Sequence, residues 1–236
     1  MFPFRRVLLI GLVWCLAFSN SLWTFSNNPP TLFVHEISPA PLPDIANATE
    51  TMYRLMDLEA KGLSPNAFEY AMEGYNALKK QGKLKNDSIL TVVDFDQPSY
   101  NKRMYVIDVK HWKLLFNTWS AHGKNTGAAV ANKFSNRLQS LQSSLGLYLT
   151  ESTYNGSNGY SLRLIGLEPC NSNAWRRAIV MHGASYVSQQ TIKNMGYIGR
   201  SWGCPAIPQE LCKPIINTIK GGSCLFLYHK SYKPSL

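Results

Sequence analysis

From residue 88 onward the apolar positions gather into short runs: ILTVVDF, RMYVIDV, KLLFNTW, LGLYLT, SLRLIGL, RAIVMH and SCLFLYH. Gly, Asn, Ser and Asp separate them, and their β-branched and aromatic content is that of strands. Seven such runs, spaced as in sandwiches and barrels, predict a mainly β domain, sandwich-like or barrel-like. Ahead of them the period is helical. Residues 49–61 set Met52, Leu55, Met56 and Leu58 along one broad face. A second helix is better marked: Ser64 suits the N-cap, Pro65 the first helical position and Gly82 the stop. Inside it Phe68, Ala71, Met72, Tyr75 and Leu78 form one apolar stripe. Two short helices are expected among the strands, over 188–195 and over 208–220, the latter with Ile215, Ile216 and Ile219 as its apolar face.

The N-terminal end is different. Arg5 and Arg6 precede the apolar block VLLIGLVWCLAF, and residues 1–25 read as a secretory signal peptide, with an uncleaved membrane anchor as the alternative. Residues 26–45 are proline-rich and aperiodic, which suits an extended tether. The expected organisation is therefore signal 1–25, tether 26–45, helical segment 46–86 and β domain 87–232. The chain would work in the periplasm or cell envelope.

Composition adds three points. Hydrophobic residues make up 45% of the 236, enough for a sizeable core. The formal charge is +10, and +8 once Arg5 and Arg6 leave with the signal, which suits an anionic wall or membrane surface. No nucleic-acid motif accompanies that charge, and neither zinc-type paired cysteines nor a phosphate-binding glycine loop is present, so no metal or cofactor is expected. Export would leave Cys170, Cys204, Cys212 and Cys224, whose even number allows two disulfides; a free Cys204 would leave three others.

The segment GRSWGCPAIP, residues 199–208, holds the candidate nucleophile. Gly203 lets the backbone before Cys204 take a conformation that other residues resist. Pro205 has no N–H, so an oxyanion would have to be met by the amides of Trp202, Gly203 or Cys204 itself. A small buried cysteine in a turn is the plainer alternative. Two histidines, His122 in WSAHG and His182 in IVMHG, each end an apolar run before glycine, which delivers an imidazole to the rim of a sheet. His35, His111 and His229 have no such setting.

Together AHGKNTG, KFSN, SSLGLYLTESTYNGSNGYSLRLIGLE, RRAIVMHGASYVS and GRSWGCPAIP resemble the L,D-transpeptidase (YkuD-like) catalytic domain family, in its murein branch of Gram-negative bacteria. The resemblance runs from about residue 65 to 232. It implies a mainly β catalytic fold with an N-terminal helical segment and short inserted helices. It also implies Cys204 as acyl-accepting nucleophile, His182 as its base, the Gly183 carbonyl as orienter of that histidine, and Ser201, Trp202 and Gly203 as the oxyanion turn. His122, Tyr186, Arg200 and Trp202 are the candidate substrate-binding residues. Two departures stand out: Trp202 replaces a histidine of the family, and Pro205-Ala206-Ile207 stands where arginine is common. Arg200 either supplies the missing positive charge or is a surface residue. The implied partner is peptidoglycan, as muropeptide donor and amine acceptor. Transfer to water, as in an L,D-carboxypeptidase, and wall binding without catalysis are the alternatives.

Overall fold

The computed structural model describes residues 45–234, so the expected signal at 1–25 and all but the last residue of the expected tether lie outside it. Helix α1 (Ile45–Leu55) is followed by helix α2 (Pro65–Lys80), whose start is fixed as its sequence requires. Ser64 Oγ accepts the Ala67 N–H at 3.2 Å, and Pro65 occupies the first turn. The first helix stops short of residue 61, because Asp57 takes a left-handed φ of 53°. Its apolar face is correspondingly narrower than the period suggests: Met52, Met56 and Leu58 are buried, whereas Leu55 is exposed.

Eight strands among the described residues form one sheet: β1 (Ile89–Asp94), β2 (Met104–Asp108), β3 (Lys113–Thr118), β4 (Gly146–Gly156), β5 (Gly159–Gly166), β6 (Val180–Ala184), β7 (Ile207–Pro208) and β8 (Cys224–Tyr228). Their spatial order is β3-β2-β1-β8-β4-β5-β6-β7. The last strand thus lies at the centre, parallel to β1 and antiparallel to β4. Every residue of β1 is buried, because both faces of the sheet are covered. On one face Leu90, Val92, Tyr105, Ile107, Leu147 and Phe226 pack against Phe68, Ala71, Met72 and Tyr75 of α2. Each large side chain buried there contributes roughly 1.5–3 kcal/mol. On the other face Val93, Val106, Tyr148, Leu162, Met181 and Leu225 meet Ile215, Ile216 and Ile219 of helix α4 (Cys212–Ile219). The Gly183 position is pressed against that helix, since a Cβ there would stand 2.8 Å from Cys212 Cβ.

The sheet curls until its ends nearly meet. Beyond β3 the chain runs beside residues 201–206: Gly123 bridges to Ser201 in parallel, Ala121 N–H donates to Ala206 O (2.7 Å), and Lys124 N–H donates to Ser201 O (2.8 Å). Residues 207–208 continue this segment as β7, parallel to β6. The result is a nearly closed, barrel-like sheet with a few short helices, and the GRSWGCPAIP segment lies in its seam. Helix α3 (Gln189–Met195) sits on the loop that crosses this seam, capped by Ser188 and ended by left-handed Gly196. No helix among the described residues is long and apolar enough to cross a membrane.

The connection from β5 to β6 carries no long element and is fastened by Asn171, which is fully buried. Its Nδ2 donates to Leu145 O (3.0 Å) and Leu147 O (2.9 Å), and its Oδ1 accepts the Glu168 N–H (2.9 Å). Removing this amide leaves the Glu168 N–H without its acceptor and takes the shorter donor from Leu145 O and one of two donors from Leu147 O, which keep the Cys170 thiol and the Leu167 N–H. Asn171→Ala is therefore expected to destabilise the fold by about 2–4 kcal/mol, read as a lower urea midpoint at unchanged slope.

Candidate active site

Strand β6 brings His182 to the seam, and the turn Ser201–Cys204 brings the thiol. The serine shapes that turn from within. Ser201 Oγ accepts the Gly203 N–H (3.0 Å) and donates to Cys204 O (2.7 Å). Gly203 has φ +127°, and a Cβ there would lie 2.7 Å from Gln142 O, so glycine is demanded by both torsion and space. Buried Ser143 ties the turn to its neighbour: its hydroxyl donates to Gly203 O (3.1 Å) and accepts the Gly123 N–H (3.1 Å).

Cys204 is 8% exposed. Its sulfur accepts the Val180 N–H at 3.5 Å and donates to Ala178 O at 3.6 Å. The sulfur therefore lies against the first residue of β6. His182 stands two residues further along the same strand, roughly 7 Å away along the backbone. Its Nδ1–H donates to Gly183 O at 3.0 Å, which leaves Nε2 with the free lone pair of a base. No hydrogen bond joins the thiol to the imidazole. Burial pushes the Cys204 thiol up, against the pull of the Val180 amide and the Arg177 guanidinium. Burial pushes the imidazole of His182 down, against the bond to Gly183 O. Both shifts favour the uncharged forms, so the resting pair is neutral thiol beside neutral imidazole.

The cation nearest this chemistry is one that the sequence reading passed over. Arg177 donates from Nη1 to Ser135 O (2.8 Å) and Ser144 Oγ (3.2 Å), and from Nη2 to Ser140 Oγ (3.2 Å) and Gln142 O. It pins the 135–144 segment beneath the turn while placing positive charge near the sulfur. Arg177 opens the RAIVMH run itself, and nothing in that run distinguishes it from an arginine at any strand start.

The other expected site residues divide. Tyr186, half-buried on the loop after β6, is close enough that a thiolate at Cys204 adds to the burial that lifts its phenol to about 12. Trp202 is 74% exposed at the lip of the turn. Arg200 is exposed and donates to Lys124 O (3.2 Å) and Gly127 O (3.1 Å), so it straps the neighbouring loop. His122 does not line the cleft as expected: it is 1% exposed and both ring nitrogens are engaged. Arg103 Nη2 donates to its Nδ1 (2.7 Å), and its Nε2–H donates to Gly127 O (3.3 Å). Burial and the Arg103 charge push its pKa down to about 3. The Gly203 amide, expected among the oxyanion donors, is likewise spent on Ser201 Oγ, whereas the amides of Trp202 and Cys204 have no partner among the described residues. Cys170, Cys204, Cys212 and Cys224 are all free thiols. No cluster of three or more His, Cys, Asp or Glu side chains suited to a metal occurs among the described residues.

A model of the L,D-transpeptidase catalytic domain matches residues 59–228, from the end of the first helical region through β8. Among solved structures the chain is similar to an L,D-transpeptidase from Mycobacterium smegmatis, at 12% identity over 60% of this chain and 59% of that one, with a TM-score of 0.38. It is also similar to the L,D-transpeptidase of Xylanimonas cellulosilytica, at 13% identity over 58% of each chain, with a TM-score of 0.34. The chain thus spans about three-fifths of the length of these structures. No curated protein matches it.

The neutral resting pair has a kinetic signature. The thiolate is the reacting form, so alkylation of Cys204 by iodoacetamide is expected to accelerate with pH and show no plateau below pH 9, the ordinary thiol value. A resting thiolate–imidazolium pair would instead give a flat profile across neutrality. Arg177→Gln removes a favourable charge and is expected to slow alkylation several-fold at pH 8.

Proposed function

Because the chain belongs to the L,D-transpeptidase catalytic domain family, we propose that it is a cysteine acyltransferase acting on peptidoglycan stem peptides in the cell envelope, after export. The observation that carries this reading is the setting of His182: its Nδ1–H is held by Gly183 O, its Nε2 is free, and the Cys204 sulfur rests against the same strand. That arrangement supports a base of the correct tautomer on the strand against which the thiol rests.

In this proposal a tetrapeptide stem displaces the thiol from Val180 and Ala178. Nε2 of His182 takes the Sγ proton, and the sulfur attacks the carbonyl carbon between the L-centre of diaminopimelate and terminal D-alanine. The resulting oxyanion is met by the amides of Trp202 and Cys204, since Gly203 N–H is occupied and Pro205 has none. The C–N bond then breaks, the imidazolium protonates the departing amine, and D-alanine leaves. A thioester remains on Cys204. An acceptor amine attacks that thioester, gives its proton to His182 and regenerates the thiol, yielding a crosslink. Water in place of the amine would make the same chemistry an L,D-carboxypeptidase.

Burial of Cys204 and the absence of a hydrogen bond from its thiol to His182 favour a second reading, wall binding without turnover. Intact mass separates the two. Incubated with disaccharide tetrapeptide, the wild type is expected to gain the donor mass less D-alanine, and Cys204→Ala to gain nothing. His182→Ala should acylate about 10²–10⁴-fold more slowly, the usual contribution of a positioned general base. Equal turnover by wild type and Cys204→Ala overturns the proposal, and crosslinked dimer in excess of free tripeptide at high acceptor identifies the transferase.

A further inference from the structure

The outer face of β5 carries a guanidinium that the reaction above does not use. The register sets Tyr154, Ser161 and His182 in one row across β4, β5 and β6, and pairs Arg163 with Val180. Arg163 therefore projects from the same face as His182, one residue pair along. It lies one strand spacing, roughly 5 Å, beyond the residue whose amide holds the Cys204 sulfur.

Its surroundings are unusual for an arginine. Cζ lies 4.3 Å from the centroid of the Tyr154 ring and 5.3 Å from that of Trp175. The side chain is half-buried against these rings, yet it makes no hydrogen bond or ion pair with any described residue. The neighbouring Ser161 hydroxyl is turned away, donating to Gly159 O at 3.0 Å. Trp175 is itself 58% exposed, so the stack is reached from solvent. Two rings fix the guanidinium plane while its N–H groups stay unspent, an arrangement that suits a bidentate carboxylate.

We propose that Arg163 is a specificity-determining residue that binds a carboxylate of the donor peptide, several bonds from the scissile carbonyl. This rests on the functional reading above for the identity of the peptide. A carboxylate about six bonds from that carbonyl reaches roughly 7–8 Å in extended form, a reach of between one and two strand spacings. In a stem peptide two groups meet that description: the carboxylate at the far end of the diaminopimelate side chain, and the free carboxylate of the glutamyl residue before it. Tyr154 and Trp175 act as positioning residues for the guanidinium.

The test is direct binding, measured by calorimetry on the full chain carrying Cys204→Ala, so that no turnover intervenes. Three probes are used: disaccharide tetrapeptide with both carboxylates free, with the diaminopimelate side chain amidated, and with the glutamyl carboxylate amidated. One amidation is expected to weaken binding about 10–100-fold, the usual range for a lost charge-assisted bond, and thereby to name the carboxylate. Adding Arg163→Gln should bring the free peptide down to the same affinity and abolish discrimination, while Arg163→Lys should keep part of it. Unchanged affinity in Arg163→Gln, or an equal loss for all three probes, overturns the proposal and leaves the stack a packing device. Should Arg163→Gln fail to fold, the Cys204→Ala protein alone decides, because indifference to both amidations overturns it equally. Discrimination without any thioester on the wild type would instead sink the acyl chemistry and leave the carboxylate site standing.

Discussion

The cysteine turn depends on a cation buried some distance from it. Arg103 has no exposed surface, and its guanidinium is satisfied without a carboxylate. Nε and Nη2 donate to Ser120 O, Nη1 to Gln97 O, Nη2 to His122 Nδ1, and the group lies 4.9 Å from the Phe95 ring centroid. Burial lowers its pKa to about 9, which still leaves it charged at neutral pH. A charge in such a place persists because carbonyl dipoles, a neutral imidazole and an aromatic face replace its hydration. Each of those partners is thereby fixed in turn. His122 is held neutral with its proton on Nε2, and its own carbonyl accepts the Ser201 N–H at 2.9 Å. Ser201 then shapes the turn through its hydroxyl. Hydrogen bonds thus run from Arg103 through His122 and Ser201 to Cys204.

That chain explains why the thiol occupies a seam rather than an open surface. Residues 201–206 bridge the curled ends of the sheet, and their hydrogen bonds to 121–124 complete the closure. A cysteine on such a bridge is positioned by the whole barrel, but it is also surrounded by it. Cys204 accordingly shares the core with Val180 and Ile179. The structure thus combines a rigid backbone at the reacting residue with a sulfur that spends its hydrogen bonds on backbone groups. In the proposed reaction the thiol would have to leave Val180 and Ala178 before it could give its proton to His182. A thiol kept neutral in this way is also shielded from adventitious oxidation, which acts on the thiolate.

Much of this was legible in the sequence, and the reasons it failed in places are physical. All seven apolar runs became strands, because short runs rich in β-branched and aromatic residues and broken by turn formers act locally. Ser64 and Pro65 marked a helix start for the same reason. The strand β7 was invisible, being two residues long with a proline, and exists through pairing with Gly183 and Ala184. His122 was read as a rim residue because His-Gly after an apolar run looks alike whether the imidazole faces a cleft or a buried arginine. Arg103 lies 19 residues earlier in the chain, and nothing in either segment advertises the contact. Arg163 and Arg177 were likewise unremarkable as sequence. Their importance comes from cross-strand register and from loops packed beneath a turn, both of which are tertiary facts.

The departures from the family pattern read coherently once the turn is seen. A histidine at position 202 would stand where the Trp202 indole now projects into solvent, 74% exposed. The backbone there is set by Ser201 and Gly203, so the side chain is free to change without disturbing the amides on either side. Arginine soon after the cysteine is also absent, and Pro205-Ala206-Ile207 instead run into β7 with Ala206 and Ile207 fully buried. Positive charge has not left the neighbourhood: Arg177 lies below the turn and Arg163 on the adjoining strand, one spent on the fold and the other unspent. Ala206 and Ile207 leave the seam apolar, with these charges on the supporting sheet and loop rather than after Cys204. On that β-structure the Arg163 guanidinium is held between aromatic rings, which is the preorganisation that the proposed carboxylate recognition requires.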